Sequence, residues 1–152
     1  MPANKEETGL KRVYVNEKWC LGCHLCEYNC AFAQTGEPDM ARALKDKTIH
    51  PNIRVEDGDD VHFAVNCRHC DEALCVKSCI TGALSKTADG VVTIDQDKCV
   101  HCFTCVLTCP YGCILPTEDG AVTKCELCLK TTKGKPACVA GCPNNAIVFE
   151  ER

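Results

Sequence analysis

CVHCFTCVLTCP, residues 99–110, places four cysteines and a proline in twelve positions. The spacing is C-x2-C-x2-C-x3-C-P. Three thiols this close together on a short irregular loop reach three corners of one compact inorganic cube. A helix that starts near the third cysteine carries the fourth away from that cube. Proline then turns the chain, because it has no N–H with which to continue the helix. A tetrahedral zinc site more naturally takes two CxxC pairs separated by a longer stretch, so the crowding points to iron–sulfur chemistry.

The pattern recurs. Working outward from Cys99, Cys102, Cys105 and Cys109, there is an earlier run of the same spacing at Cys20, Cys23, Cys26 and Cys30. A second run, Cys67, Cys70, Cys75 and Cys79, widens one gap to x4, and a fourth, Cys125, Cys128, Cys138 and Cys142, widens it to x9. Every run opens with an x2 gap and closes with an x3 gap, an internal repeat of chemistry rather than of length. Pro110 and Pro143 follow the third and fourth runs. After Cys30, AFAQTGEP reads as about one more helical turn, stopped by Gly36 with Pro38 beyond. After Cys79 the chain turns at Gly82.

Composition agrees. Cysteine supplies 17 of 152 residues, above the roughly 8–10% at which it becomes part of the scaffold. Without it, the 45% apolar fraction falls to about a third, a thin core for a chain of this length. The N-terminal MPANKEETGLKR has no apolar signal core or twin arginine, and no apolar run approaches the ~18 residues of a membrane span. A cytoplasmic location is expected, where disulfides are rare; the odd cysteine count also argues against them. The formal charge of −4 comes without a basic block, which leaves nothing for nucleic acid to bind.

Between the second and third runs, ALSKT (83–87) and VVTID (91–95) flank Ala88-Asp89-Gly90, a hairpin pattern. KRVYV (11–15) and NAIVFE (145–150) offer an opening and a closing strand. In the stretch separating the first two runs, DMARALKDK begins a short helix with Asp39 as N-cap. IRVEDGDDVHFAV (53–65) reads as two strands around an acidic turn. This stretch is expected to have no role at the clusters and to form a surface hairpin, or an edge that faces a partner.

The order cluster loop, helix, hairpin, cluster loop, helix over 67–115 resembles a two-cluster bacterial ferredoxin, in which the fourth cysteine of each run ligates the other cluster. Over residues 12–150 the four runs, with their x4 and x9 variants, resemble the four-cluster iron–sulfur subunits of hydrogenases, formate dehydrogenases and dimethyl sulfoxide reductases. The size is nearest the small versions that serve carbon monoxide dehydrogenase or tungsten aldehyde oxidoreductases. The resemblance implies an α+β fold of two interleaved ferredoxin-like dicluster units around a cluster-dominated core. It also implies four 4Fe–4S clusters: one on Cys20, Cys23, Cys26 and Cys142; one on Cys67, Cys70, Cys75 and Cys109; one on Cys99, Cys102, Cys105 and Cys79; one on Cys125, Cys128, Cys138 and Cys30. The expected organisation is a flexible tail over 1–10, a split unit of 11–35 plus 116–152, an insertion over 36–66, and an inserted unit over 67–115.

No phosphate-binding glycine loop or nucleophile–base pair is present, so no catalytic residue is expected. The implied role is an electron-transfer subunit, part of a hetero-oligomer, between a catalytic oxidoreductase and ferredoxin or an NAD(P)-linked flavoprotein. The catalytic partner would be a tungsten or molybdenum aldehyde oxidoreductase, carbon monoxide dehydrogenase, formate dehydrogenase or hydrogenase. A free polyferredoxin is the alternative, and a zinc-binding structural module a remote one. The seventeenth cysteine, Cys113, reads as a buried small residue. His24, His69 and His101 lie inside ligand loops and read as hydrogen-bonding neighbours of the clusters. Lys18, Lys98 and Lys124 precede cysteine runs, countering cluster charge, facing a partner, or simply solvated. Trp19 and Tyr111 read as cluster shields or core filling.

Overall fold

The computed structural model describes residues 10–151; apart from Leu10, the expected tail lies outside the described residues. Eight short strands and five α-helices are described, with one 3-10 turn at Gln96–Lys98. Each helix that belongs to a cysteine run begins one residue before that run's third cysteine: α1 Leu25–Thr35, α3 Leu74–Ser78, α4 Thr104–Thr108 and α5 Ala137–Ala140. The extra turn after Cys30 is present, and Gly36 ends α1 in the left-handed region (φ 70°), where glycine has no Cβ to clash. The helix of the insertion, α2 Met40–Leu44, starts where Asp39 accepts a hydrogen bond from Arg42 N at 3.1 Å.

All the sheets are two-stranded and antiparallel. β1 (Arg12–Val15) pairs with β8 (Ile147–Glu150), register Val13 to Phe149, closing the two ends of the chain on each other. The insertion folds back as β2 (Ile53–Asp57) and β3 (His62–Asn66), and the expected hairpin forms β4 (Leu84–Lys86) and β5 (Val92–Ile94). A further hairpin, β6 (Ile114–Pro116) and β7 (Val122–Lys124), was not anticipated. Its turn Thr117-Glu118-Asp119-Gly120 repeats Thr87-Ala88-Asp89-Gly90, down to the bonds: Thr N to the residue after the glycine at 2.8 Å in both, and Gly N back to Thr O at 3.0 and 2.9 Å. The T-x-D-G echo was available in the sequence.

Two small cores result. One gathers Val13, Ile147, Leu127, Cys26 and Cys138 with Ile53 and Ala64 of the insertion. The other gathers Leu84, Val92, Ile94, Ile114, Val122 and Cys105. α1 packs on α5, and α3 on α4. The boundary expected between 115 and 116 cuts through β6, whose hairpin buries Ile114 and Val122 in the second core. No helix among the described residues is long and apolar enough to cross a membrane.

Candidate metal centres

The residue before the second cysteine of every run is left-handed: Gly22 (φ 63°), His69 (44°), His101 (60°) and Leu127 (53°). This bend, uncommon for residues other than glycine, curls each loop around its thiols. In two runs the N–H of the bent residue donates to the first thiol, His69 N to Cys67 Sγ at 3.5 Å and Leu127 N to Cys125 Sγ at 3.4 Å. Histidine and leucine do not announce such a conformation, which is why reading the residues missed it.

The cysteines converge across runs. Cys20, Cys23 and Cys26 line one cavity together with Cys142 of the last run. Cys99, Cys102 and Cys105 line another with Cys79 of the second. Cys30, Cys125 and Cys128 line an open cleft, and Cys138 packs in the core beside Cys125 and Cys30. Cys75 lies within electrostatic reach of Cys67 and Cys109, and Cys70 follows His69 in the same loop. The thiols line volumes rather than meet at a point: among the described residues no three His, Cys, Asp or Glu side chains come together to hold a single ion. An all-thiol donor set spread around a cavity fits a 4Fe–4S cluster.

Burial acts on the third cysteine of every run. It pushes the third cysteine up every time: Cys26 to about 12, and Cys75, Cys105 and Cys138 in the same direction. It also raises Cys125 to about 12. Bound thiolates must lose these protons, so cluster binding and proton release are linked. Cys102 is exposed, and the Thr104 hydroxyl holds it below its ordinary value. Cys23 is the other exposed cysteine. Burial raises Cys79, but the Leu84 amide and the Thr81 hydroxyl more than offset it.

The insertion, expected to stand apart, grips the first run. Asn52 N donates to Cys30 Sγ at 3.3 Å, beside Gln34 Nε2 at 3.6 Å. Val55 N donates to Glu27 Oε1 at 2.6 Å, while Glu27 Oε2 holds His24 Nδ1 at 2.9 Å. Asp57 bridges His24 and His62, at 2.9 and 2.6 Å. Glu27 and then Asp57 raise the His24 pKa. An acid inside a ligand run was the one signal for this clamp.

The three histidines separate. His24 is clamped, His101 is exposed, and His69 is fully buried with Nδ1 accepting from Val92 N at 3.0 Å. Burial, then the Lys124 and Arg12 charges, lower His69 to about 3, so it is neutral. Cys113 is buried as expected, raised to about 12 by burial, and its N–H donates to Cys109 Sγ at 3.4 Å. Trp19 and Tyr111 are exposed, Tyr111 lying under Arg68 at 4.5 Å; neither fills a core.

Residues 59–152 match the 4Fe–4S dicluster domain. The chain is 38% identical to an "Iron-sulfur protein" of Rhodospirillum rubrum, over 97% of this chain and 84% of that one. It is 33% identical to "Electron transport protein HydN" of Escherichia coli (88% and 83%) and 33% identical to "Probable anaerobic dimethyl sulfoxide reductase chain YnfG" of the same organism (90% and 71%). The chain belongs to the 4Fe–4S dicluster family of iron–sulfur electron-transfer subunits.

Proposed function

We propose that the chain carries four 4Fe–4S clusters on the four crossed cysteine sets: Cys20, Cys23, Cys26 and Cys142; Cys67, Cys70, Cys75 and Cys109; Cys99, Cys102, Cys105 and Cys79; Cys125, Cys128, Cys138 and Cys30. The observation that carries this reading is the pair of cavities, each lined by three thiols of one run and one of another. When bound, such clusters supply one-electron redox chemistry, commonly at low potential. The chain's own residues hold the thiolates, bend the loops and exclude water. Two interleaved ferredoxin-like units follow, one split between the chain ends and one central, the central one extended to take in the β6–β7 hairpin.

The order of the sets along the molecule is first, fourth, second, third. Support comes from the exposed cysteines, Cys23 and Cys102, which belong to the first and third sets, and from Cys125 and Cys67 of the other two, which interact electrostatically. Exposed apolar side chains surround both ends, Trp19, Leu21 and Leu25 at one and Val100, Phe103 and Leu107 at the other. Electrons pass between a catalytic oxidoreductase subunit at one end and ferredoxin or an NAD(P)-linked flavoprotein at the other, in a cytoplasmic hetero-oligomer. The relative named as a dimethyl sulfoxide reductase chain favours a catalytic partner.

Anaerobic reconstitution tests the cluster count. About sixteen irons and as many sulfides per chain are expected, and Cys142→Ser should cost the centre built on the first run, not the second. Retention of that centre, or half the iron at saturation, sinks the reading. Anaerobic isolation from the native host should bring down a redox enzyme. A monomer with no partner identifies a free polyferredoxin instead.

A further inference from the structure

The outer edge of β5 is closed by side chains from two cysteine loops. Val92 donates its N–H to His69 of the second run, and its carbonyl accepts from Lys124 Nζ. Two residues on, Ile94 donates to Glu126 Oε1 at 2.7 Å and accepts from Lys130 Nζ at 3.1 Å. Lys124, Glu126 and Lys130 surround the opening of the fourth run, so this edge is the seam between the second and fourth sets.

The two lysines do the same job for neighbouring carbonyls in opposite electrical settings. Lys130 is exposed, with Glu126 3.2 Å away as counter-charge. Lys124 is 2% exposed. Its second bond goes to the Cys125 carbonyl, and no carboxylate among the described residues forms an ion pair with it. A neutral donor would satisfy those carbonyls. An ammonium withdrawn from water without a counter-charge is strongly unfavourable, so its presence calls for negative charge close by. The groups close by are thiols: Cys125 of the fourth set is the next residue in the chain, and Val92, whose carbonyl Lys124 caps, donates its N–H to His69 between Cys67 and Cys70 of the second.

We propose that Lys124 is the fixed cation at the junction of the second and fourth cysteine sets, placed to balance the negative charge their bound centres carry and to make both centres easier to reduce. This inference rests on the four-cluster reading above. Its chemistry is electrostatic only: a positive charge in a poorly screened interior favours the addition of an electron to either neighbour.

The test is a potentiometric titration of each centre, followed by electron paramagnetic resonance in the cluster-loaded protein. Two substitutions separate charge from hydrogen bonding: Lys124→Met removes both, and Lys124→Gln keeps a donor without charge. In both variants two of the four centres should lose at least tenfold in reduction equilibrium, about 59 mV for a one-electron couple. The other two centres should stay within about threefold, as should all four in Lys130→Met. Wild-type potentials in Lys124→Gln would make Lys124 a seam donor only and overturn the proposal. Equal shifts in Lys130→Met would overturn it too, by reducing the effect to net charge. If neither Lys124 variant loads, pulsed resonance on protein labelled with nitrogen-15 at lysine Nζ decides. The background is Lys86→Met, since Lys86 bonds the Cys70 and Asp71 carbonyls. A lysine nitrogen coupled to a reduced centre is expected there, and its absence overturns the proposal. A wild-type protein that never loads four centres breaks the underlying reading, whereas a fully loaded one with unmoved potentials breaks this inference alone.

Discussion

The half of the molecule made from the chain ends and the half made from its middle use the same loop, yet they are held together differently. In the middle, β4–β5 and β6–β7 are local hairpins with matching turns, and α3 and α4 end directly at Cys79 and Cys109. At the ends, strand pairing joins Arg12 to Glu150 across nearly the whole chain, and α1 runs on past Cys30. The insertion supplies what local hairpins provide elsewhere: Ile53 and Ala64 enter the core, and Asn52, Val55 and Asp57 reach the first run. A core drawn from both ends of the chain cannot be stabilised by local sequence alone, and a third segment completes it. The loop geometry is transferable, and its support is not.

Removing iron tests that contrast hardest. Each core holds only seven or eight buried residues, several of them cysteine or alanine, so full chelation is expected to abolish native circular dichroism in both halves. Partial chelation should sharpen the contrast. Closing the ends of the chain costs more loop entropy than closing a hairpin, so amide protection in β1 and β8 should vanish before that in β4–β7. A cooperative apo fold, or the reverse order of loss, contradicts the account.

Gly22→Ala comes next. The new Cβ would lie 2.7 Å from the His62 ring, at a φ of 63°. Overpacking and the left-handed penalty together predict a loss of about 2–4 kcal/mol, read by denaturant unfolding of loaded protein. The central loops carry His69 and His101 at the matching position, already bent at φ 44° and 60°. A change in iron release from the second and third sets as large as that from the first would deny the separation.

Glu27→Ala is expected to cost less, about 1–3 kcal/mol, mainly by leaving Val55 N–H without its acceptor. Glu27→Gln, which keeps an acceptor oxygen, should recover most of it. Thermal unfolding of the two variants side by side is the measurement, and identical losses would remove the hydrogen bond from the explanation.

What the residues disclosed, and what they withheld, follows the same division. The four runs, the hairpin around Asp89-Gly90, the end strands and the Asp39-capped helix were legible because each is encoded within a few neighbouring residues. The β6–β7 hairpin was equally local, and its T-x-D-G turn simply went unread. The clamp of Glu27, Asp57 and His62 was not legible, since it joins positions some thirty residues apart and alternation marks strands without saying what they face. The left-handed bends at His69, His101 and Leu127 were hidden for another reason: the loop imposes them on side chains that do not favour them. Lys124 could be noted beside Cys125, but only its burial separates it from Lys18 and Lys98.

The smallest effect belongs to Asp57→Ala. Asp57 accepts from two imidazoles and so joins the first cysteine loop to the insertion, but all three side chains are more than a third exposed. Exposed pairs of this kind contribute little, and salt screens what they contribute. The thermal midpoint of the variant should therefore fall less than that of Glu27→Ala, and the difference from wild type should shrink as ionic strength rises. The acceptor role of Glu27 toward Val55 N–H is untouched by the change, so the insertion should stay docked and Cys30 should keep its Asn52 bond. If Asp57→Ala instead released iron from the first set at all salt concentrations, the clamp would rest on its exposed rim rather than on the half-buried carboxylate. The division of labour around the first cysteine run would then have to be redrawn.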